Sequence, residues 1–343
     1  MNEIPNGSPN DYENWRPKTG KRRVAFWMGV LVSDLVGLLT LLAVTLLHSQ
    51  LTLPQAETYV AGYLASQFVV IPIGMGIVAA YFWRKLNFTT FEILLASFFI
   101  TGGALLGSFL ILREGVICLI MACPLLILFI MLGLMIGKIL WARSNTWLGA
   151  STLPLMALML IADAQMPHHH AAIVTDEVLI AAPPARVWRY VAGYPKIETP
   201  PRWWLWKIGL PFPVQSTSTG AFTGARRDCR FSGNVVFEEK ITEVKANRAL
   251  AFDVTKQPNH PEVTGHFNLD KGRFELRDNG DGTTTLRGTT WYRLHVYPSQ
   301  YFDLWAESIV RHVHFRVMNH IKQLAERDQK NEQPRAVVYS TPQ

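Results

Sequence analysis

Arg316 and His320 stand four residues apart near the end of a 343-residue chain. On a helix that spacing puts both side chains together. The guanidinium can then hold a carboxylate or carbonyl while the imidazole moves a proton, forming the polar end of an enclosed site. At 100° per residue Phe302, Trp305, Ile309, Val313 and Leu324 share their face, whereas His314 points nearly opposite and is expected to be exposed or to meet the membrane-facing side. A buried arginine needs a counter-charge, and Asp228, Glu238, Glu239 and Asp253 are the candidates on the strand-rich stretch before the helix. Such a network can serve merely to fix a helix on a sheet, and that role is favoured over a ligand-binding one; with no nucleophile beside the pair, the case for an enzyme is thin.

Aromatic residues supply the rest of the candidate ligand site: Trp203, Trp204, Trp206, Phe231, Trp291, Trp305 and Ile309 beside Arg316 and His320. Three tryptophans in four residues, flanked by Arg202 and Lys207, suit a bilayer interface, where amphipathic rings lie at headgroup depth. The alternative is that the rings cap a core. Trp291, Arg293 and His295 alternate with Thr290, Tyr292 and Leu294, and either face can look inward. His168, His169 and His170 are adjacent and cannot all face one metal, so they read as a linker. Cys118, Cys123 and Cys229 make no spaced pair, and Cys229 reads as a small core residue. With no glycine-rich phosphate loop, zinc-ligand spacing or Ser-His-Asp arrangement, neither a metal nor a cofactor is expected.

The elements that must position these groups fall into two parts with different solvents. Of 33 Lys and Arg residues only 10 precede Gln165, and of 26 Asp and Glu residues only 8 do. A helix crossing a ~30 Å hydrocarbon core needs about 20 apolar residues. Residues 24–47, 59–83, 91–112 and 115–141 meet this; Thr146 to Ala162, shorter and holding Pro154, is a marginal fifth. Basic residues favour the cytoplasmic side. Arg16, Lys18, Lys21, Arg22 and Arg23 precede the first span, Arg84 and Lys85 follow the second, and Arg143 follows the fourth, with Lys138 just before that span's end. Five crossings with the N-terminus inside place the C-terminal part outside; four leave it in the cytoplasm. Trp27, Trp83, Trp141 and Trp147 suit the interfacial belts. Asp34 is the one acid deep in a span, a functional suspect that Ser33, Thr40 or a neighbouring helix can satisfy. The net charge of +7 has no long basic block, so it reads as a mildly basic surface rather than a nucleic-acid footprint, with attraction to anionic lipid headgroups between the two.

From Ile173 the period changes. A strand over 173–180 is followed by a short helix opened by Pro183-Pro184, a Pro-rich aromatic loop over 194–213, and strand-like runs near 221–231, 234–244, 249–255, 272–276 and 283–297. Asn279-Gly280-Asp281-Gly282 supplies a hairpin turn, and 299–327 reads as a long amphipathic helix. An antiparallel sheet must cover its apolar face, and one long helix gripped by it does so.

The segments VLIAAPPARVWRYV, GTTWY and HVHFRVMNHIKQLAE resemble the START-like superfamily of polyketide cyclases, Bet v 1-type proteins and lipid-transfer domains. More narrowly, CRFSG, FDVTKQP and GTTWY are similar to a bacterial group of multi-spanning membrane proteins with a C-terminal cyclase-like domain. The likeness covers about 173–326 and implies an α+β helix-grip fold with an apolar pocket, behind a helical transmembrane bundle. It carries no substrate, since fold is not function. The expected organisation is a cytoplasmic tail over 1–23, a membrane region over 24–163, a linker over 164–172, the START-like domain over 173–328 and a tail over 329–343. The leading expectation is a multi-pass inner-membrane protein whose domain binds a hydrophobic small molecule, lipid or isoprenoid-like. The alternatives are a cyclase-like enzyme acting on a carbonyl substrate, and a structural or sensory protein that binds an unidentified protein partner.

Overall fold

The computed structural model describes residues 19–51, 65–86, 89–142, 157–161, 163, 170–264 and 266–332. The chain divides into two compact units, an N-terminal helical one and a C-terminal one that includes everything from Pro167 onward. The expected fifth span over 146–162 lies largely outside the described residues, as do Trp147, His168, His169 and the expected C-terminal tail beyond Glu332.

In the helical unit α1 is Thr19–Leu51, α2 Ala65–Phe68, α3 Val70–Trp83, α4 Thr90–Gly107 and α5 Val116–Ala142. Among the described residues four stretches are long and apolar enough to cross a membrane: Gly20–Val44, Ser66–Trp83, Thr90–Ile111 and Val116–Trp141. Leu31, Leu39, Leu110 and Ile139 are among many large apolar side chains left exposed on these helices, as a hydrocarbon solvent permits. Glycine sets the closeness of approach. A Cβ on Gly133 would collide with the backbone of Ile73, and one on Gly76 with the Ile130 carbonyl. Thr89 and Glu92 form a capping box that starts α4, and Glu92 also pairs with Arg22 of α1. Trp83 is buried within the bundle, its indole donating to the carbonyls of Ala25 and Phe26, rather than serving as a free interfacial ring. Ser33 and Thr40 do not satisfy Asp34: their hydroxyls donate to carbonyls of their own helix, at Val30 and Val36, and the Asp34 carboxyl lies against Gly103.

The C-terminal unit is a seven-stranded antiparallel sheet in the order β1-β7-β6-β5-β4-β3-β2. Its strands are β1 His170–Ile180, β2 Pro213–Ser218, β3 Arg226–Phe231, β4 Val236–Lys245, β5 Ala249–Lys256, β6 Phe267–Asp278 and β7 Thr284–Leu294. Strands β2 to β7 meander in sequence order and β1 closes onto β7. Two short helices, α6 Pro184–Trp188 and α7 Trp204–Lys207, lie between β1 and β2. The 34-residue α8, Ser299–Glu332, is about 51 Å long at 1.5 Å per residue. The expected hairpin is present: Gly280 and Gly282 have φ of 80° and 83°, and Asn279 donates to the Thr283 carbonyl at 3.2 Å. Strand β2 escapes the sequence reading because Pro-Val-Gln-Ser-Thr-Ser is short, polar and without alternation. His170, expected in a linker, begins β1, opposite Leu294 of β7.

Residues facing α8 follow the period of two along the sheet. Ile180, Leu286, Leu276, Phe274, Leu250, Phe252 and Ile241 meet Val317, Met318, Ile321, Leu324 and Ala325 of the helix in one core. The buried stripe of α8 runs through Phe302, Ala306, Val310, His314, Val317, Ile321 and Ala325. It is turned by about one residue from the expected face.

Candidate ligand site

Helix α8 is held on two sides, and each tie consists of polar groups. On the β1 side His314 Nδ1 lies 2.8 Å from Asp176 Oδ2, and its Nε2 lies 2.7 Å from Thr290 Oγ1. Asp176 accepts a second bond from Arg311 at 2.5 Å, and Arg311 also holds Glu307 one turn earlier on α8. A carboxylate only accepts, so Nδ1 of the imidazole donates to Asp176. Burial lowers the His314 pKa in spite of Asp176, which keeps the ring neutral and leaves Nε2 to accept from the Thr290 hydroxyl. The outcome is an Asp176–His314–Thr290 chain, with Asp176 and His314 buried inside the grip. Further along, Tyr292 donates to Asp303 at 2.7 Å; burial and this bond raise the Tyr292 pKa.

On the opposite side Arg316 donates to the carbonyls of Pro213 and Thr199, each at 2.9 Å, and the His320 Nε2 lies 3.1 Å from the Pro195 carbonyl. The Arg316 guanidinium carbon sits 5.5 Å from the Trp206 ring centroid and 5.0 Å from that of Phe212. Burial lowers the pKa of both Arg316 and His320. Leu205, Trp206 and Leu210 form a buried cluster against which Trp203, Phe212 and Ile309 pack. Trp203 stacks flat on His312, with centroids 3.8 Å apart and planes within 10°.

Deeper in the sheet Arg227 and Glu239 form an ion pair, each about 2% exposed in its side chain. Arg227 also donates to the Ala192 carbonyl at 3.1 Å and lies 4.4 Å over the Phe252 ring. Burial raises the Glu239 pKa, an effect Arg227 only partly offsets. Next to them the Cys229 thiol is 3.8 Å from the Tyr194 hydroxyl, and burial pushes its pKa up to about 12. A thiol so hard to ionise is a core residue and not a nucleophile.

The structure thus brings together Trp203, Trp206, Ile309, Arg316 and His320, and leaves other expected members elsewhere. Trp291 lies on the sheet face away from α8. Its neighbours Thr290 and Tyr292 both bond α8 residues, so the pleat turns Trp291 outward, beside Lys271. Phe231 belongs to a separate cluster with Cys229, Val235 and Phe237. Trp305 is half-buried. Of the three loop tryptophans only Trp204 is exposed, at 48%; the other two are used in packing. None of the four expected acids reaches Arg316. Glu239 pairs with Arg227, Asp228 with Arg226, and Glu238 with Lys256, and Arg316 has no carboxylate within 4 Å among the described residues. His314, expected to be exposed, is the most tightly bonded histidine of the helix. Asp176, Thr290, Arg227 and Arg311 were not singled out. Asp176 and Thr290 were detectable as polar residues at core-facing positions of strands, but the pairing of strand with helix residue has no sequence spacing.

A curled antiparallel sheet closed by a long C-terminal helix defines a helix-grip domain. Residues 171–326 match the family model described as polyketide cyclase / dehydrase and lipid transport. The C-terminal part of the chain therefore has a helix-grip fold and matches the model of that family, in a chain that also carries helices of membrane-crossing length. No curated protein matches. Among solved structures, norcoclaurine synthase from Thalictrum flavum in complex with dopamine and hydroxybenzaldehyde is 12% identical, over 47% of this chain and 89% of that one, with a TM-score of 0.32. A protein from Thermobifida fusca is 21% identical over 45% and 93%, at 0.30, and one from Nitrosospira multiformis 16% identical over 46% and 99%, at 0.30. Likenesses of this size carry nothing about function.

Proposed function

We propose that the chain is a membrane-anchored START-like protein whose domain binds a hydrophobic ligand, lipid or isoprenoid-like, at the membrane surface. One observation carries this reading: a domain whose family is described by lipid transport shares a chain with four stretches of membrane-crossing length and hydropathy. In it residues 24–163 are the membrane region of the cell inner membrane, 164–172 a linker and 173–328 the ligand domain. The domain faces the non-cytoplasmic side, given the loop charges and a fifth span over 146–162. Trp203, Trp206, Ile309, Arg316 and His320 form the ligand site, and exposed Trp204 meets the headgroup layer. Native mass spectrometry of the full chain released from nanodiscs tests the binding. An apolar molecule retained from the host membrane is the expected result, and recovery of empty protein from several lipid backgrounds would sink the reading.

The Asp176–His314–Thr290 chain favours a second reading, an enzyme that uses neutral His314 as a base on a carbonyl substrate. A co-purified carbonyl compound converted by the wild type, and left intact by His314→Gln, would move the assignment to this reading.

A further inference from the structure

Arg316 is the one feature of the α8 ties that does not close on itself. Arg227, Arg273 and Arg293, the buried or half-buried arginines of the sheet, each have a carboxylate: Glu239, Glu243 with Glu275, and Asp270. Arg316 has two backbone carbonyls only, which use Nε and Nη2 and leave Nη1 with no protein partner among the described residues. Carbonyl oxygens orient a guanidinium but do not neutralise it. Beside it the buried Trp206 holds its indole N–H without an acceptor among the described residues. An unneutralised, partly desolvated cation next to an unused buried donor is a site with two vacant hydrogen-bonding functions of one sign. Arg202 and Lys207 flank the same tryptophan segment and add positive charge around it.

We infer that the ligand is an anionic amphiphile, its carboxylate or phosphate group taken by the Nη1 edge of Arg316 and the Trp206 indole N–H. This rests on the hydrophobic-ligand reading and narrows it. The planar guanidinium accepts either oxyanion in a two-oxygen geometry, and the aromatic rings of Trp206 and Phe212 hold its plane in place. A neutral isoprenoid would leave both donors unused, so the chemistry discriminates by head and not by tail.

The test titrates the full chain with hexadecanoate, methyl hexadecanoate and a lysophosphatidate, with bound copies counted by native mass spectrometry. Hexadecanoate is expected to bind at least about ten-fold more tightly than its methyl ester, a difference of about 1.4 kcal/mol. Arg316→Gln should bring that ratio to about one while ester binding persists, Arg316→Lys should keep part of it, and Trp206→Phe should reduce it about three-fold. Lysophosphatidate above hexadecanoate would assign a phosphate headgroup, and the reverse order a carboxylate; both support the inference. Equal binding of acid and ester by the wild type overturns the anion site and leaves hydrophobic binding standing. Binding of neither overturns both. Competition by acetate or inorganic phosphate as effective as that of hexadecanoate overturns the amphiphile, since the site would then take free anions. The acid-to-ester ratio of the wild type decides the matter even where Arg316→Gln fails to fold.

Discussion

Replacing Arg227 by Met strips the charge from the most deeply buried ion pair of the domain and leaves Glu239 among Ile241, Phe252 and Tyr194. Both partners are about 2% exposed, so water cannot take over the lost contact. Removing one partner of a buried pair typically costs about 3–5 kcal/mol, whereas replacing both with apolar groups of similar size is about neutral or better. Lost affinity between sheet and core should appear as faster amide exchange in β3 and β4, by about two to three and a half orders of magnitude, in full-length protein held in nanodiscs. Glu239→Leu added to Arg227→Met should recover most of that loss. The pH dependence has a defined sign. Burial raises the folded pKa of Glu239, and removing Arg227 raises it further, so the variant's folded state retains a proton that the unfolded state releases. Its deficit against the wild type must therefore grow as pH rises above the ordinary carboxylate range. A deficit under about 1 kcal/mol, or one that does not change with pH, would refute the assignment of a buried charge pair.

His314 and His320 have pKa values lowered chiefly by burial, and an unfolded histidine titrates near ~6.5. Their contribution is full above that value and is lost as pH falls below it, so sheet protection should decline as pH falls below about 6.5; an acid limb unchanged in His314→Gln and His320→Gln would refute this. Gly133→Ala should lower the detergent melting temperature, at a cost of about 1–3 kcal/mol, because its Cβ meets the Ile73 backbone and not a movable side chain; unaltered melting would show that the helices are not this close. Trp203→Ala should lose about 0.5–1.5 kcal/mol from the His312 stack beyond the area removed, against less than about 0.5 for Trp204→Ser, as read by urea-dependent proteolysis. Equal effects at the two positions would mean that the stacked ring is not anchored.

The membrane-crossing stretches, the order of strands and helices, the Asn279–Gly282 hairpin and the long last helix were legible in the sequence because each depends on a local property: run length, period or turn chemistry. The resemblance carried by the segments around Pro183 and in α8 likewise pointed to the grip fold. Side-chain partners were not legible. Arg316 and His320 were placed correctly on one helix, yet their partners are carbonyls of Pro213, Thr199 and Pro195, and backbone carbonyls have no signature in a sequence. His314 went from the exposed side to the core because a rotation of α8 by one residue, 100°, brings it onto the buried face while Phe302, His320 and Leu324 stay buried, and no pattern within the helix fixes that rotation. The sheet does: Asp176 and Thr290 stand on adjacent strands 114 positions apart, and only the pairing of β1 with β7, which sets Asp176 opposite Gly288 and Thr290 opposite Val174, creates the site that turns His314 inward. What the sequence determined is therefore the apolar, charge-poor character of the first part, the ordinary composition of the second, and the elements of each. Tertiary structure alone decided which charges are neutralised, and left Arg316 without a carboxylate among the described residues, since counter-ions are assigned by distance in space.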